Sequence, residues 1–589
     1  MKLLSVVLLL LVSLSCPGQN FTLHSEQHNV RIAADGSSFT DFVEYRGKMS
    51  AGIRQTFSVY FGEEEELENL RVTYTAKNGK IVVLKKKDLV LSSAPSRSFY
   101  TGGRLYSFIL PAQPSAYEFT YSYRITNPHL MFLSALWFER QSPAHAIKWS
   151  INVPPAYDLA YRINDRDEHL SLQENVLNSG IEYVFTEEIT ADAAAKSVVR
   201  IIVFARGSRP AEYFNAQYIA LTEPHSHLSA DTKAYLDGEL ADLTDRESKI
   251  AGLFAMVQER ISYIDFENGI GAIQPRDVNK IFAEKQGDCK DMSNLLVQSL
   301  RYAGIEAYLA ISSTLSHYTD FDFPTLSSGN HCICVVPQEN GYLFLDATES
   351  QGAYGLPARH IQGRNVFVVR EKEGEIVRVP PVPAARNAVH YALELNAEKT
   401  DLRGKAAVRL HGLSRLPIDY AAGYTDEARI KGHLQQSMTA EAENLLYDEI
   451  EITAEDTVLL SADIRAKRVL TDLGNKAYLS LNFLPFPHRR NSAADTVKII
   501  NYQTRRDSVS ARLHFPAPVT LQPFEPVAYR AGGLEFTFSA TQIAPAVVLL
   551  QSLYVNENLI TEGEELAAYR RTEAIIEELL RSSLVFKKQ

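Results

Sequence analysis

Cysteine is scarce in this chain: 4 among 589 residues, at positions 16, 289, 332 and 334. So few thiols cannot staple a protein of this length, and the fold is not disulfide-built. No CxxC pair or histidine cluster completes the roughly four ligands that a zinc site needs. No EF-hand loop is present either, so neither metal nor cofactor is expected. Positive charge is in deficit, with 60 Lys and Arg against 71 Asp and Glu and a net charge of -11. That balance argues against nucleic acid as a partner and gives no reason to expect an anionic membrane surface. The run Lys85-Lys86-Lys87 is too short for a basic stripe and reads as a solvated strand end. Internal repeats and low-complexity tracts are absent. At 45% hydrophobic and 22% charged, what remains is ordinary globular protein, too long for one core.

One apolar run stands out at the N-terminus. Lys2 precedes Leu3 to Leu14, and Ser15-Cys16-Pro17-Gly18 follows. The run is short for a bilayer span and fits a secretory signal peptide over residues 1–18. No later run is apolar enough to cross a membrane, so no transmembrane helix is expected. The mature protein is expected to be exported, either periplasmic or associated with an outer membrane. Cys16 raises a lipid anchor as a second outcome. Leu14 speaks against it, because a lipoprotein signal normally carries a small residue there. After cleavage only Cys289, Cys332 and Cys334 remain. Cys332 and Cys334 are two apart on a strand, share a face, and read as small buried residues.

Residues 20–225 read as an all-β sandwich. Thr56 to Tyr60 and Tyr117 to Tyr123 alternate in period two with β-branched and aromatic residues. Asn78-Gly79 between two such runs is a hairpin signal. Residues 229–379 read as an α+β domain. Thr244-Asp245-Arg246-Glu247 has capping-box spacing, and Ile250, Leu253, Phe254, Val257 and Ile261 follow at helical intervals. A second helix is expected from Asp288 to Ala303, then a buried strand from Ile305 to Ile311. Between Ser312 and Gly329 lies a polar stretch in which His317, Tyr318, Phe321 and Phe323 either line a recognition loop or pack it. The series Val379-Pro380-Pro381-Val382-Pro383 favours an extended linker. Strand patterns fill most of 388–589, interrupted by a helical stretch near 427–446 and closed by an amphipathic helix over 564–580.

The segment Gly287-Asp288-Cys289-Lys290-Asp291 is where chemistry enters. A thiol is a useful nucleophile only as thiolate, and a helix N-terminus stabilises that anion through its dipole and free N–H groups. Cys289 occupies such a position. Asp288 and Asp291 oppose the effect, because like charges disfavour the thiolate, so a nearby imidazolium is needed. His331 opens one strand, and Asp346 ends the next beyond the turn Asn340-Gly341. With an even-length loop, odd positions of the first strand share a face with even positions of the second. A pairing near 331 with 346 or 348 then brings the Asp346 carboxylate within direct or diagonal reach of His331. Cysteine, histidine and aspartate on helix start, strand and paired strand are the parts of a nucleophilic cysteine site.

Gln286-Gly287-Asp288-Cys289-Lys290-Asp291-Met292, Ala303-Gly304-Ile305-Glu306-Ala307, Asn330-His331 and Leu345-Asp346-Ala347-Thr348 resemble the transglutaminase-like superfamily, whose core is papain-like. The resemblance is to its exported bacterial branch, common in Bacteroidota, with a Gly-Asp-Cys-Lys-Asp motif. Ile261-Ser262-Tyr263 and Gln274-Pro275-Arg276 fit the same core. Tyr117 to Tyr123, residues 137–143 and Pro154 resemble the N-terminal β domain of unknown function found in such proteins. The resemblance implies Cys289 as nucleophile, His331 as base and Asp346 as orienter. Ala347 stands where many relatives carry proline. The Cys289 N–H is the expected oxyanion donor, with Gln274 or Gln286 as candidates for a second.

The expected function is acyl transfer on a protein or peptide substrate of the cell envelope, ending in hydrolysis or transamidation. The rival reading is a non-catalytic envelope-binding module with a vestigial triad. Burial of Cys289 out of reach of any substrate would favour the rival.

Overall fold

The computed structural model describes residues 20–588 except 95–101, 140–144, 165–168, 188–195, 267–268, 351, 353, 416–443, 455–456 and 487–497. The expected signal segment, Cys16, and all but the end of the expected helix at 427–446 lie outside the described residues; Leu445 and Leu446 begin a strand, Leu445–Ala454. No helix among the described residues is long and apolar enough to cross a membrane. The described chain divides into two compact units. One runs to Thr348 and includes Arg364–Arg378; the other comprises Glu349–Gly363 and the residues from Val379 onward.

The first unit begins with an eight-stranded sheet. Its strand Phe39–Met49 alternates in burial along its whole length, so Phe39, Asp41, Val43, Tyr45 and Met49 face inward. Strand Tyr117–Asn127 does the same with Tyr117, Phe119, Tyr121 and Tyr123. Two three-stranded sheets cover this face. Phe57, Val59, Phe108 and Leu110 of one pack with Val43, Tyr45 and Tyr121. Leu136, Phe138, Val199 and Ile201 of the other pack with Val30, Ile147, Ile151 and Phe185. The result is a sandwich of one broad sheet against two small ones. The all-β reading of residues 20–225 fails at its end, where the last strand stops at Ala205. Pro210 stands at the first turn of helix Pro210–Thr222, where its fixed φ suits helix entry and its missing N–H costs nothing.

Helices Arg246–Arg260, Val278–Glu284 and Cys289–Tyr302 follow. The N-cap of the first is Asp245, whose carboxylate accepts from the Ser248 N–H at 2.8 Å, not Thr244 as the capping-box spacing suggested. Aspartate one residue later offers the stronger acceptor. Gly304, at φ 77, ends helix Cys289–Tyr302 in a left-handed conformation that suits glycine. Five antiparallel strands form the sheet of the core, in the order Gly341–Leu345, His331–Gln338, Tyr308–Ser312, Asn365–Val368, Glu375–Arg378.

Helix Cys289–Tyr302 is buried on all sides over its first nine residues. Its polar residues are therefore partnered. Ser293 donates to the Cys332 carbonyl at 3.0 Å, Ser299 to the Leu295 carbonyl at 2.8 Å, and Asn294 accepts from Ser226 at 3.1 Å. The stretch after Ser312 packs at Phe321 and leaves Tyr318 40% exposed. Phe321 is fully buried, and His317 and Tyr318 both bond the Ser327 carbonyl. Thr325 and Ser327 donate to the Ile201 and Ser134 carbonyls of the sandwich.

The second unit holds an eight-stranded and a four-stranded sheet and helix Gly563–Arg581 on one core. Leu566, Tyr569, Ile576 and Leu579 are the buried stripe of that helix. The helix is not the last element. Ser583–Lys588 forms a further strand between Lys476–Ser480 and Val519–Leu521, a run too short, with two lysines at its end, to stand out from sequence.

Candidate functional site

The approach to Cys289 is fixed by backbone. Lys285, at φ 57, ends helix Val278–Glu284, and Gln286-Gly287 then pairs in parallel with Ser262-Tyr263. A Cβ on Gly287 would lie 2.9 Å from the Asp291 Cβ and 3.2 Å from Ile281 Cγ2, so only glycine fits here. Asp288 is the N-cap of the next helix, in reciprocal exchange with Asp291. Each carboxylate accepts the other residue's N–H at 3.3 Å. Cys289 therefore sits at the first helical position, where its own N–H has no partner within the helix.

Both flanking acids are neutralised. Lys290 forms a close ion pair with Asp288. Arg276 grips Asp291 twice, by its backbone N–H at 2.8 Å and its Nε at 2.9 Å, and reaches the Gln286 carbonyl at 2.9 Å. The Arg276 guanidinium also lies over the Phe266 ring at 4.1 Å. Burial works to lower the Lys290 pKa, but Asp288 first, then Cys289 and Asp291, raise it overall. Two carboxylates and two cations thus leave little net charge beside the sulfur, and the opposition expected from the acids is offset. Arg276 was legible only as part of a motif; its role depends on a contact fifteen residues along the chain.

His331 opens its strand opposite Ser312. Its Nε2 is 2.7 Å from Asp346 Oδ2. The other Asp346 oxygen accepts from the Thr348 N–H at 3.1 Å and hydroxyl at 2.7 Å. Asp346 is 4% exposed. Cys289 is among the groups that act on the His331 ring, after Asp346. Nε2 being committed to Asp346, the nitrogen left for sulfur is Nδ1. Burial disfavours the imidazolium, but Asp346 and then Cys289 outweigh it and hold the His331 pKa well above its ordinary value. The structure thus sets Asp346 against the His331 ring, with Cys289 acting on the same ring from the helix tip.

Other candidates fall elsewhere. The Gln274 amide donates to the Leu221 carbonyl at 3.3 Å, and Gln286 is exposed. Cys332 and Cys334 are buried free thiols, and burial pushes both pKa values up, as inert core cysteines behave. Cys289 itself is 5% exposed. Thr348 was noted in the sequence only as part of a motif, and its grip on Asp346 appears only in the folded turn.

Residues 49–187 match the family described as a domain of unknown function of solved structure, DUF3857. Residues 234–347 match the transglutaminase-like superfamily. No curated protein matches the chain. Among solved structures, a proposed protease from Parabacteroides distasonis is 14% identical; the match covers 96% of this chain and 99% of that one, with a TM-score of 0.56. A proposed nutrient-binding protein from Legionella pneumophila is 12% identical over 42% of this chain and 82% of that one, with a TM-score of 0.20. A proposed cysteine protease from Cytophaga hutchinsonii is 10% identical over 58% and 86%, with a TM-score of 0.18. Only the first superposition is good enough to speak for the fold. The chain carries a transglutaminase-like core over residues 234–347, preceded by a DUF3857 domain.

Proposed function

We propose that the protein is an exported cysteine enzyme that performs acyl transfer on an amide of a protein or peptide. The observation that carries this reading is the His331–Asp346 pair at 2.7 Å, with Cys289 at a helix tip among the groups that act on the same ring. The Cys289 thiolate attacks the carbonyl carbon, and the carbonyl electrons move onto oxygen. The Cys289 N–H at the helix tip receives that oxyanion. The tetrahedral intermediate collapses, the C–N bond breaks, and His331 gives its proton to the leaving amine. A thioester remains. Water or a second amine loses a proton to His331 and attacks it, which releases acid or new amide and restores the thiolate. Asp346 holds the ring in place and stabilises its cation throughout.

One observation favours the second reading, a binding module with a vestigial triad: Cys289 is nearly covered, at 5% exposure. Labelling decides between them. Iodoacetamide labels the wild-type protein, and does so much faster than it labels Cys289→Ala, in which only Cys332 and Cys334 of the core remain. Equal labelling of the two proteins would end the enzyme reading. Labelled wild type then serves as the blank for trapping a thioester partner from envelope extract.

A further inference from the structure

The inward face of the sandwich carries an acid where its neighbours are apolar. Asp41 lies between Phe39 and Val43 on strand Phe39–Met49 and is 6% exposed. One of its oxygens meets His28 Nδ1 at 2.6 Å. The other, Oδ1, has no hydrogen-bond partner among the described residues. An unmatched buried acceptor costs about 1–3 kcal/mol, more when charged. Asp41 lines a cavity of about 100 Å³, well beyond the space one water needs.

The lining of that cavity is specific. Glu26 and Glu65 join Asp41, and Trp137 and Trp149 form walls. His28 stacks on Trp149 with ring centroids 3.6 Å apart. Its Nε2 is 3.0 Å from Glu26 Oε1, and His145 Nε2 is 3.4 Å from Glu26 Oε2. Burial disfavours the His28 cation, but Asp41 and Glu26 raise its pKa to about 9. Three carboxylates line the cavity, and two of them, Asp41 and Glu26, meet the His28 imidazolium. Even with His145 counted as charged, one negative charge is left over. The Trp137 Nε1–H is also buried without a partner among the described residues. A leftover carboxylate oxygen calls for a positive donor, and a leftover indole N–H calls for an acceptor. Indole walls favour an organic cation over a metal ion, which needs about six oxygen ligands.

We propose that this cavity in the N-terminal sandwich binds an organic ammonium group with a neighbouring carbonyl, as at the amino terminus of a peptide. The ammonium donates to Asp41 Oδ1, and the carbonyl accepts from Trp137. The proposal does not depend on the chemistry assigned to Cys289. Trp137 and Trp149 are the only tryptophans in the chain, so tryptophan emission of the whole protein reports this site.

The test uses full-length protein titrated with alaninamide, propylamine, propionamide, and calcium or magnesium chloride at matched ionic strength. Alaninamide is expected to change the emission saturably, propylamine to bind several-fold more weakly, and propionamide and the metal salts to give no saturable response. Asp41→Asn weakens alaninamide about tenfold or more, the loss expected of a charged hydrogen bond. Trp137→Phe, followed by calorimetry, reduces alaninamide to the affinity of propylamine and leaves propylamine unchanged. That variant keeps the His28 network intact, so it stands even if Asp41→Asn fails to fold. Propionamide binding as well as alaninamide would overturn the proposal. So would saturation by the divalent salts, unchanged affinity in folded Asp41→Asn, or no saturable response to either amine. Equal binding of propylamine and alaninamide would overturn the role of Trp137.

Discussion

His331 Nε2 and Asp346 Oδ2 stand 2.7 Å apart across a hairpin, fifteen residues distant in sequence. The ladder pairs Cys334 with Leu345 and Val335 with Phe344. Continued in register, it would set His331 opposite residue 348, so Asp346 reaches the ring as a diagonal neighbour. Thr348 then closes on Oδ1 of the same carboxylate. Orientation of the imidazole thus depends on strand register and on one turn.

Replacing Asp346 by Asn tests what that pair does. The carboxylate is the first of the groups that raise the His331 pKa, with burial acting against it. In the proposed mechanism the imidazolium is the proton donor, so the alkaline limb of the rate profile lies above the ordinary imidazole value of about 6.5. Removing the charge lowers the His331 pKa and moves that limb to lower pH. The maximal rate falls by about 10²- to 10⁴-fold, the usual worth of general acid–base catalysis. The measurement of that limb is the pH dependence of Cys289 alkylation by iodoacetate, whose carboxylate is drawn to the imidazolium so that the rate falls as the ring loses its proton. An unmoved alkaline limb would contradict the assignment.

Thr348→Val removes the hydroxyl that holds Asp346 and keeps the backbone N–H bond. The folded protein loses about 1 kcal/mol, one hydrogen bond's worth. The alkylation rate of Cys289 falls further than Thr348→Ser lowers it, because serine keeps the donor. Denaturant midpoints and labelling rates on the two variants separate positioning from stability.

Arg276→Ala strands the Asp291 carboxylate, which is 1% exposed. Breaking a buried ion pair from one side costs about 3–5 kcal/mol. Arg276→Lys recovers only part of this, because a point charge cannot reproduce the contacts to Asp291 and the Gln286 carbonyl together. Urea denaturation of the three proteins reads the order directly.

Gly287→Ala places a methyl 2.9 Å from the Asp291 Cβ. Overpacking of this kind costs about 1–3 kcal/mol. The strain falls on the turn that delivers Cys289, so labelling slows along with the loss of thermal stability. Gly304→Ala is the control. Nothing crowds a Cβ there, and its cost comes from φ 77 alone.

His28 gives stability a pH dependence of known sign. Its folded pKa of about 9 lies above the ordinary value of 6.5, with burial opposed by Asp41 and Glu26. The contribution is fully present below about pH 6.5 and is lost as pH rises through about 9, at most about 3 kcal/mol in all. Thermal melts of the wild type should fall across this window. In His28→Gln the fall is absent, and an identical slope in both proteins would refute the pairing.

Much of the core was readable from the chain. The helix start at Cys289, the stop at Gly304 and the hairpin turn at Gly341 follow from local rules that hold whatever surrounds them. Misreadings came where local signals competed. Thr244 and Asp245 both fit a cap, and helix Pro210–Thr222 carries aromatic and β-branched residues that look like strand. Asp41 was invisible as a special position, because an acid in an alternating strand normally faces water.

The sequence alone determined which chemical groups exist, their order, and the secondary structure that carries each. Those properties depend on neighbours a few residues away. The tertiary structure decided that Lys290 and Arg276 cancel Asp288 and Asp291, that Thr348 holds Asp346, and that a carboxylate and two indoles line one cavity. Arg276 and Asp291, like the walls of the cavity, are far apart in the chain, and even for the near neighbours Lys290 and Thr348 only packing puts the pairing in a dry enough place to matter.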